Sequence, residues 1–180
     1  LELERLLSSS GPTRGELVRM DKNHNPERIA FIQCVSSRDV KFGNPYCSTI
    51  CCMNAIKDSL IIRQHYPDSK IDIFYIDIRA FGKGYEGLYR NSLEDENISY
   101  IRTKPSKILE DPNTNDLIVK FEDPDTLHEV HRNYGMVVLS SALVPSRDSL
   151  ELKNILGIET DNDGFFKQKD PCAYPLDSQI

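Results

Sequence analysis

The chain has 180 residues, 39% of them hydrophobic and 28% charged, and a formal net charge of −6. That is enough for one domain with a real core, in the composition range of soluble globular proteins, and its acidic balance argues against nucleic acid as the main partner. No apolar run approaches the roughly 18–20 residues of a membrane span, no signal peptide is recognisable, and five cysteines, four of them within 19 residues, suit a reducing cytoplasm better than a secreted disulfide scaffold.

Leu1 to Leu7 shows a short helical pattern that ends at the breaker Ser8-Ser9-Ser10-Gly11-Pro12. Residues 1–27 read as a linker or extended N-terminal segment, with Glu16 to Val18 extended and Asp21 to Pro26 a loop. Arg28 to Val35 is expected to be a buried parallel strand, apolar on both faces, and Ser36 to Pro45 a loop. Cys47 to Tyr66 is expected to be a helix with Ile50, Met53, Ile56, Leu60 and Gln64 on one side, stopped by Pro67 and Asp68. Lys70 to Ile78 follows as a strand in which Ile71, Ile73 and Tyr75 alternate with Asp72, Phe74 and Ile76. Strand, helix and strand make a right-handed parallel βαβ unit. Beyond the loop Arg79 to Gly84 come a helix over Tyr85 to Glu96 and a short strand over Ile98 to Ile101. Lys107 to Glu110, Leu117 to Glu122 and Leu127 to Arg132 form an antiparallel meander joined by Asp/Pro/Asn turns. A buried strand, Gly135 to Ser140, and a short helix, Arg147 to Leu156, complete the order. The start at Leu1 and the uncapped end at Ile180 suggest a piece of a longer polypeptide.

The order βαβαβ, meander, β is that of an α/β nucleotide-binding-like domain in three layers, a parallel sheet with helices plus a β-meander, as in flavoproteins with two dinucleotide domains. Residues 28–146 form that domain, and residues 147–180 lead away from it. The Gly-x-Gly-x-x-Gly turn of a nicotinamide site is absent. The first strand ends in Cys34, its loop holds one glycine, Gly43, and thiols stand where phosphates would be.

Cys34, Cys47, Cys51 and Cys52 are spaced C-x12-C-x3-C-C. Adjacent cysteines have Cα atoms about 3.8 Å apart, too close for an ordinary disulfide. An iron–sulfur cubane takes one thiolate per iron and accepts irregular spacing, whereas zinc usually takes two C-x2–4-C knuckles. A [4Fe–4S] cluster, a structural zinc, a redox dithiol and unligated buried cysteines all remain open on spacing alone, the cluster ahead. In a helix starting at Cys47, Cys47 and Cys51 share a face and Cys52 lies about 100° round it, with Cys34 closing the set from the strand end. Helix-start N–H groups and the Arg38 cation would offset the charge of such a group.

At these residues the sequence resembles a known family. Ile32-Gln33-Cys34-Val35-Ser36-Ser37-Arg38-Asp39 and Asn44-Pro45-Tyr46-Cys47-Ser48-Thr49-Ile50-Cys51-Cys52-Met53 closely resemble the A-type iron–sulfur flavoprotein subunits of heterodisulfide reductase. Phe74 to Glu86, Leu139 to Ser146 and, more weakly, Ser8 to Thr13 match further blocks in the same order. The resemblance implies a thioredoxin-reductase-like flavoprotein core carrying FAD and a [4Fe–4S] cluster, with Cys34, Cys47, Cys51 and Cys52 as ligands. It implies an oxidoreductase component of a cytoplasmic multi-subunit complex. That complex exchanges electrons with ferredoxin and a hydrogenase or dehydrogenase partner by flavin-based bifurcation. It also implies that an FAD-binding half and ferredoxin-like domains lie outside this chain, toward which residues 147–180 lead back. A zinc-binding assembly domain without redox chemistry is the alternative.

Within the likeness this chain departs from the usual pattern: Gly is expected at Ser36, Arg at Thr49, Tyr near Asn54 and Val-Gly at Ser141-Ala142. Lys57 stands at the family's helix lysine and is expected to reach the flavin N5, against the plain alternative of a solvated lysine. Arg79, Lys83 and Tyr85 are expected to contact flavin or another component of the complex, with a surface loop as the plain alternative. Cys172, beside Pro171, reads as a plain cysteine. His24, His65, His128 and His131 are scattered and make poor joint ligands.

Overall fold

The computed structural model describes residues 1–19, 25–41 and 43–168. It divides into two compact units, Leu1–Ala142 and the segment from Leu143 onward.

The first unit is built on a four-stranded parallel sheet of β1 (Arg28–Val35), β2 (Lys70–Phe74), β3 (Ile98–Ile101) and β7 (Met136–Ser141), in the order β3-β2-β1-β7. Ile29 and Phe31 of β1 stand opposite Ile71 and Ile73 on one side and Met136 and Val138 on the other. The run Ile29 to Cys34 is buried on both faces. Its apolar character therefore follows from being central: helices cover one face and a second sheet the other.

The helical layer is α1 (Glu2–Leu7), α2 (Cys51–His65) and α3 (Tyr85–Leu93). Ile29, Phe31, Ile71 and Ile73 pack against Ala55 and Ile62 of α2 and against Leu3 and Leu17. Leu3 and Leu17 are buried, so the N-terminal segment read as a linker is part of the core. The opposite layer is the antiparallel sheet β4 (Lys107–Glu110), β5 (Leu117–Glu122) and β6 (Glu129–Tyr134). Ala30, Ile32 and Phe74 meet Val119, Phe121 and Tyr134 there, with the Phe74 ring edge-on to Phe121 at 4.9 Å. This is the expected three-layer order.

Several expected boundaries move: α3 stops at Leu93 rather than Glu96, the last meander strand is Glu129–Tyr134 rather than Leu127 to Arg132, and the last helix starts at Ser149 rather than Arg147. α2 starts at Cys51 rather than Cys47, because Thr49 takes a left-handed backbone with φ +61° that no α-helix admits. Its buried residues include the expected Met53 and Ile56 along with Ala55, Ser59 and Ile62; Leu60 is half-buried, while Ile50 and Gln64 are exposed. β2 ends at Phe74, where pairing with β3 runs out at Ile101, and Tyr75 onward is irregular. In the second unit, α4 (Ser149–Leu156) ends at Gly157, whose φ of +62° makes a left-handed cap. Ile158 is buried, and Thr160 and Phe166 form an isolated bridge. His24 and Cys172 lie outside the described residues.

Candidate functional site: a four-thiol loop at the sheet's switch point

The strand order reverses at β1, with β2 and β3 on one side and β7 on the other. Open α/β sheets place their ligands outside the carboxyl ends of strands at such a point. Cys34 occupies that end. The pairing of β1 with β7 shifts between Ile32 and Val35, and Cys34 there has φ +58°. A bulge of this kind re-aims a side chain; here it falls at the buried Cys34, and pairing with β7 resumes at Val35, opposite Ser141.

The loop that follows is tied to itself. Ser36 and Arg38 also have left-handed backbones, with φ near +57° and +58°. The Asn44 N–H donates to the Ser36 carbonyl at 2.9 Å, Arg38 N–H to the Tyr46 carbonyl at 2.9 Å, and Asp39 N–H to the Asn44 carbonyl at 2.9 Å. The buried Ser37 hydroxyl donates to the Tyr46 carbonyl at 2.9 Å and lies 3.3 Å from the Ser48 hydroxyl. Gly43 permits the fold-back, since a Cβ there would lie 2.7 Å from the Ser36 carbonyl oxygen. Four non-glycine residues in αL within 16 positions, Cys34, Ser36, Arg38 and Thr49, store strain of a kind that concentrates at functional sites.

This path returns Cys47 to the neighbourhood of Cys34 and leads into Cys51 and Cys52, the first two residues of α2. All four thiols are free; Cys34, Cys51 and Cys52 are buried and Cys47 is half-buried. Cys47 Sγ accepts the Thr49 N–H at 3.4 Å. The sulfurs stand in one another's electrostatic field. Burial raises the Cys34 pKa, and charge on Cys52 or Cys47 raises it further, against Arg38. A hydrogen bond to Cys52 raises Cys51, and burial and charge on Cys34 and Cys47 add to it. The same bond lowers Cys52, opposed by burial and helped by the Arg79 backbone N–H. The Cys52 sulfur is also 3.8 Å from the Asp77 carbonyl. Among the described residues no three ligating side chains converge on a single ion's position; binding of a metal group by these thiols would release their protons.

Cations surround the thiols. The Arg38 guanidinium donates to Asp77 at 2.6 Å, and Arg79 lies 3.4 Å from the same carboxylate. Asp77, just past the end of β2, thus pins two arginines beside the sulfurs. Sequence reasoning missed it; its place two residues before Arg79 in the irregular continuation of β2 was the available signal. Arg79 belongs to this thiol site. Lys83 lies in an exposed turn between Gly82 and Gly84, with the Tyr85 ring packed close to Gly82. Lys57, five residues past Cys52, points to α1: its ammonium is 2.5 Å from Glu4 and 3.2 Å from Asp58.

No helix among the described residues is long and apolar enough to cross a membrane. No known family model matches the chain. The chain is 18% identical to thioredoxin reductase of Lactococcus lactis, with a TM-score of 0.52 over 85% of this chain and 41% of that one, a likeness of fold. It is 49% identical over its full length to the second form of the iron–sulfur A-subunit of CoB–CoM heterodisulfide reductase of Methanopyrus kandleri. It is 45% identical to the corresponding A-subunit of Methanocaldococcus jannaschii. It is 41% identical to the A-subunit of the H2/formate:CoB–CoM heterodisulfide,ferredoxin reductase of Methanococcus maripaludis. In each case it spans 27% of the relative's length. From end to end, then, the chain is homologous to one segment, about a quarter in length, of the A-subunits of heterodisulfide reductases.

Proposed function

We propose that this segment carries a [4Fe–4S] cluster on Cys34, Cys47, Cys51 and Cys52. In that reading it serves as an electron-transfer module beside FAD in a heterodisulfide-reductase-type oxidoreductase of the cytoplasm. The observation that supports it most is the meeting of four free thiols, three of them buried, in one electrostatic field at the switch point of a flavoprotein-like sheet. The donor set fits the group. Four thiolates supply one ligand per iron, and Arg38 and Arg79 stand where negative charge accumulates. A bound cluster would supply a one-electron store next to a two-electron flavin. The chain's own part is to hold four sulfurs on a strand end, a strained loop and a helix start, exclude water from three of them, and place two cations and the Arg79 N–H against the charge.

The names of the relatives point to partners: the other subunits of such a complex, ferredoxin, and a hydrogenase or formate dehydrogenase. Bifurcation of electron pairs at the flavin belongs to this reading of the whole assembly. So do Lys57, Arg79 and Lys83 as groups facing flavin or a partner. For Lys57 that role means giving up Glu4, and a Lys57→Ala protein with an unaltered flavin potential would remove it from the proposal.

The test is iron, acid-labile sulfide and zinc per chain, on protein purified without oxygen, with the Cys47→Ser and Cys34→Ser variants in parallel. The expected result is a loss of about four irons and four sulfides in each variant, one cubane's worth. Zinc lost in place of iron, with sulfide unaffected, would overturn the electron-transfer reading in favour of a structural metal domain.

A further inference from the structure

We propose that Gln33 is a hydrogen-bond donor to the cluster's sulfurs and sets its reduction potential, an inference that rests on the cluster reading above. Gln33 is 1% exposed, and among the described residues neither its Nε2 nor its Oε1 has a hydrogen-bond partner. An unpaired buried polar group costs about 1–3 kcal/mol, which a leucine or methionine at the same place would avoid.

Its position shows what the amide faces. Ile29 and Phe31, at the same parity on β1, pack on Ala55 and Ile62 of α2. Gln33 is the next residue on that face, one step nearer the carboxyl end of the strand. One turn before Ala55 on α2 lie Cys51 and Cys52. Strand parity and helix spacing thus put Gln33 on the face that the first turn of α2 covers, next in sequence to Cys34. Both amide atoms are shut off from solvent within this chain. The missing partner is therefore internal, not the surface of another domain. The group the site is built to take brings in thiolate and sulfide sulfurs, which accept from an amide N–H. Such a donor favours the more negative, reduced state over the oxidised one and raises the potential. Gln33 is in this sense a positioning and tuning residue, not a ligand.

The experiment uses the complete polypeptide, purified without oxygen. Gln33→Met keeps the side chain's length and removes the N–H; Gln33→Glu replaces the amide with a carboxyl group. Iron and sulfide are counted first. The electron paramagnetic resonance signal lost in Cys47→Ser is then followed through a dithionite titration. With iron and sulfide retained, Gln33→Met is expected to be about tenfold harder to reduce, a fall of about 59 mV for a one-electron couple. Gln33→Glu, kept neutral by burial beside negative sulfurs, retains an O–H donor and is expected to stay nearer the parent midpoint. An unchanged midpoint in Gln33→Met, with the cluster present, overturns the proposal and leaves the amide to a buried water. Absence of iron and sulfide at the site in the parent protein overturns the cluster reading itself, and a separate assay reports it.

Discussion

Cys34, Ser36, Arg38 and Thr49 all hold the left-handed backbone, at a cost of about 1–2 kcal/mol for an L-residue. What keeps them there is the fold-back of the loop at Gly43. Two substitutions therefore act in opposite directions. Ser36→Gly removes the Cβ at φ +57° and is expected to stabilise the protein by about 1 kcal/mol, reduced by glycine's greater chain entropy. Gly43→Ala forces a Cβ to 2.7 Å from the Ser36 carbonyl and is expected to cost about 1–3 kcal/mol, with loss of bound iron. Denaturant midpoints and iron content measured side by side would check both; equal stability for the two variants would contradict this account of the loop. That the resemblance leads one to expect glycine at Ser36 has its reason here: the position is left-handed. The cysteine spacing was legible in the sequence because it is local. The backbone handedness was not, since serine, arginine and threonine normally avoid it.

At the scale of elements, the meander is fastened to the parallel sheet by a charge inside the protein. Asp72 of β2 is 2% exposed. Its Oδ2 accepts from Tyr134 at 2.7 Å, Arg132 at 2.9 Å and Arg28 at 3.1 Å. Arg132 also lies over the Phe121 ring at 5.4 Å. The alternation of Ile71, Ile73 with Asp72, Phe74 announces a two-faced strand, but not that a carboxylate on the buried face is satisfied from β6, far along the sequence. Removing one partner of such a cluster leaves cations unpaired, so Asp72→Ala is expected to cost about 3–5 kcal/mol and to release β4 to β6 first. Hydrogen exchange checks the order: β5 and β6 amides should lose protection before those of β1. The start of α2 teaches a related lesson. Periodicity extends the helix back to Cys47, yet hydrogen bonds of the loop hold Thr49 out of it, and tertiary ties override local propensity.

Across the whole molecule, two apolar cores on the two faces of one parallel sheet carry the fold, and the thiols stand at the end of that sheet. Strand and helix order, the βαβ unit, the meander and the cysteine set could all be read from the chain. Those features are written in hydrophobic period, turn residues and residue type, which are local. The tertiary structure alone decided that Leu3 and Leu17 belong to the core, that Lys57 is held by Glu4 of α1, and that Asp77 holds Arg38 and Arg79 beside the sulfurs. It alone decided that Gln33 is buried without a partner among the described residues. Each of these depends on contacts between residues far apart in sequence, and no local pattern encodes a distance that only chain folding closes.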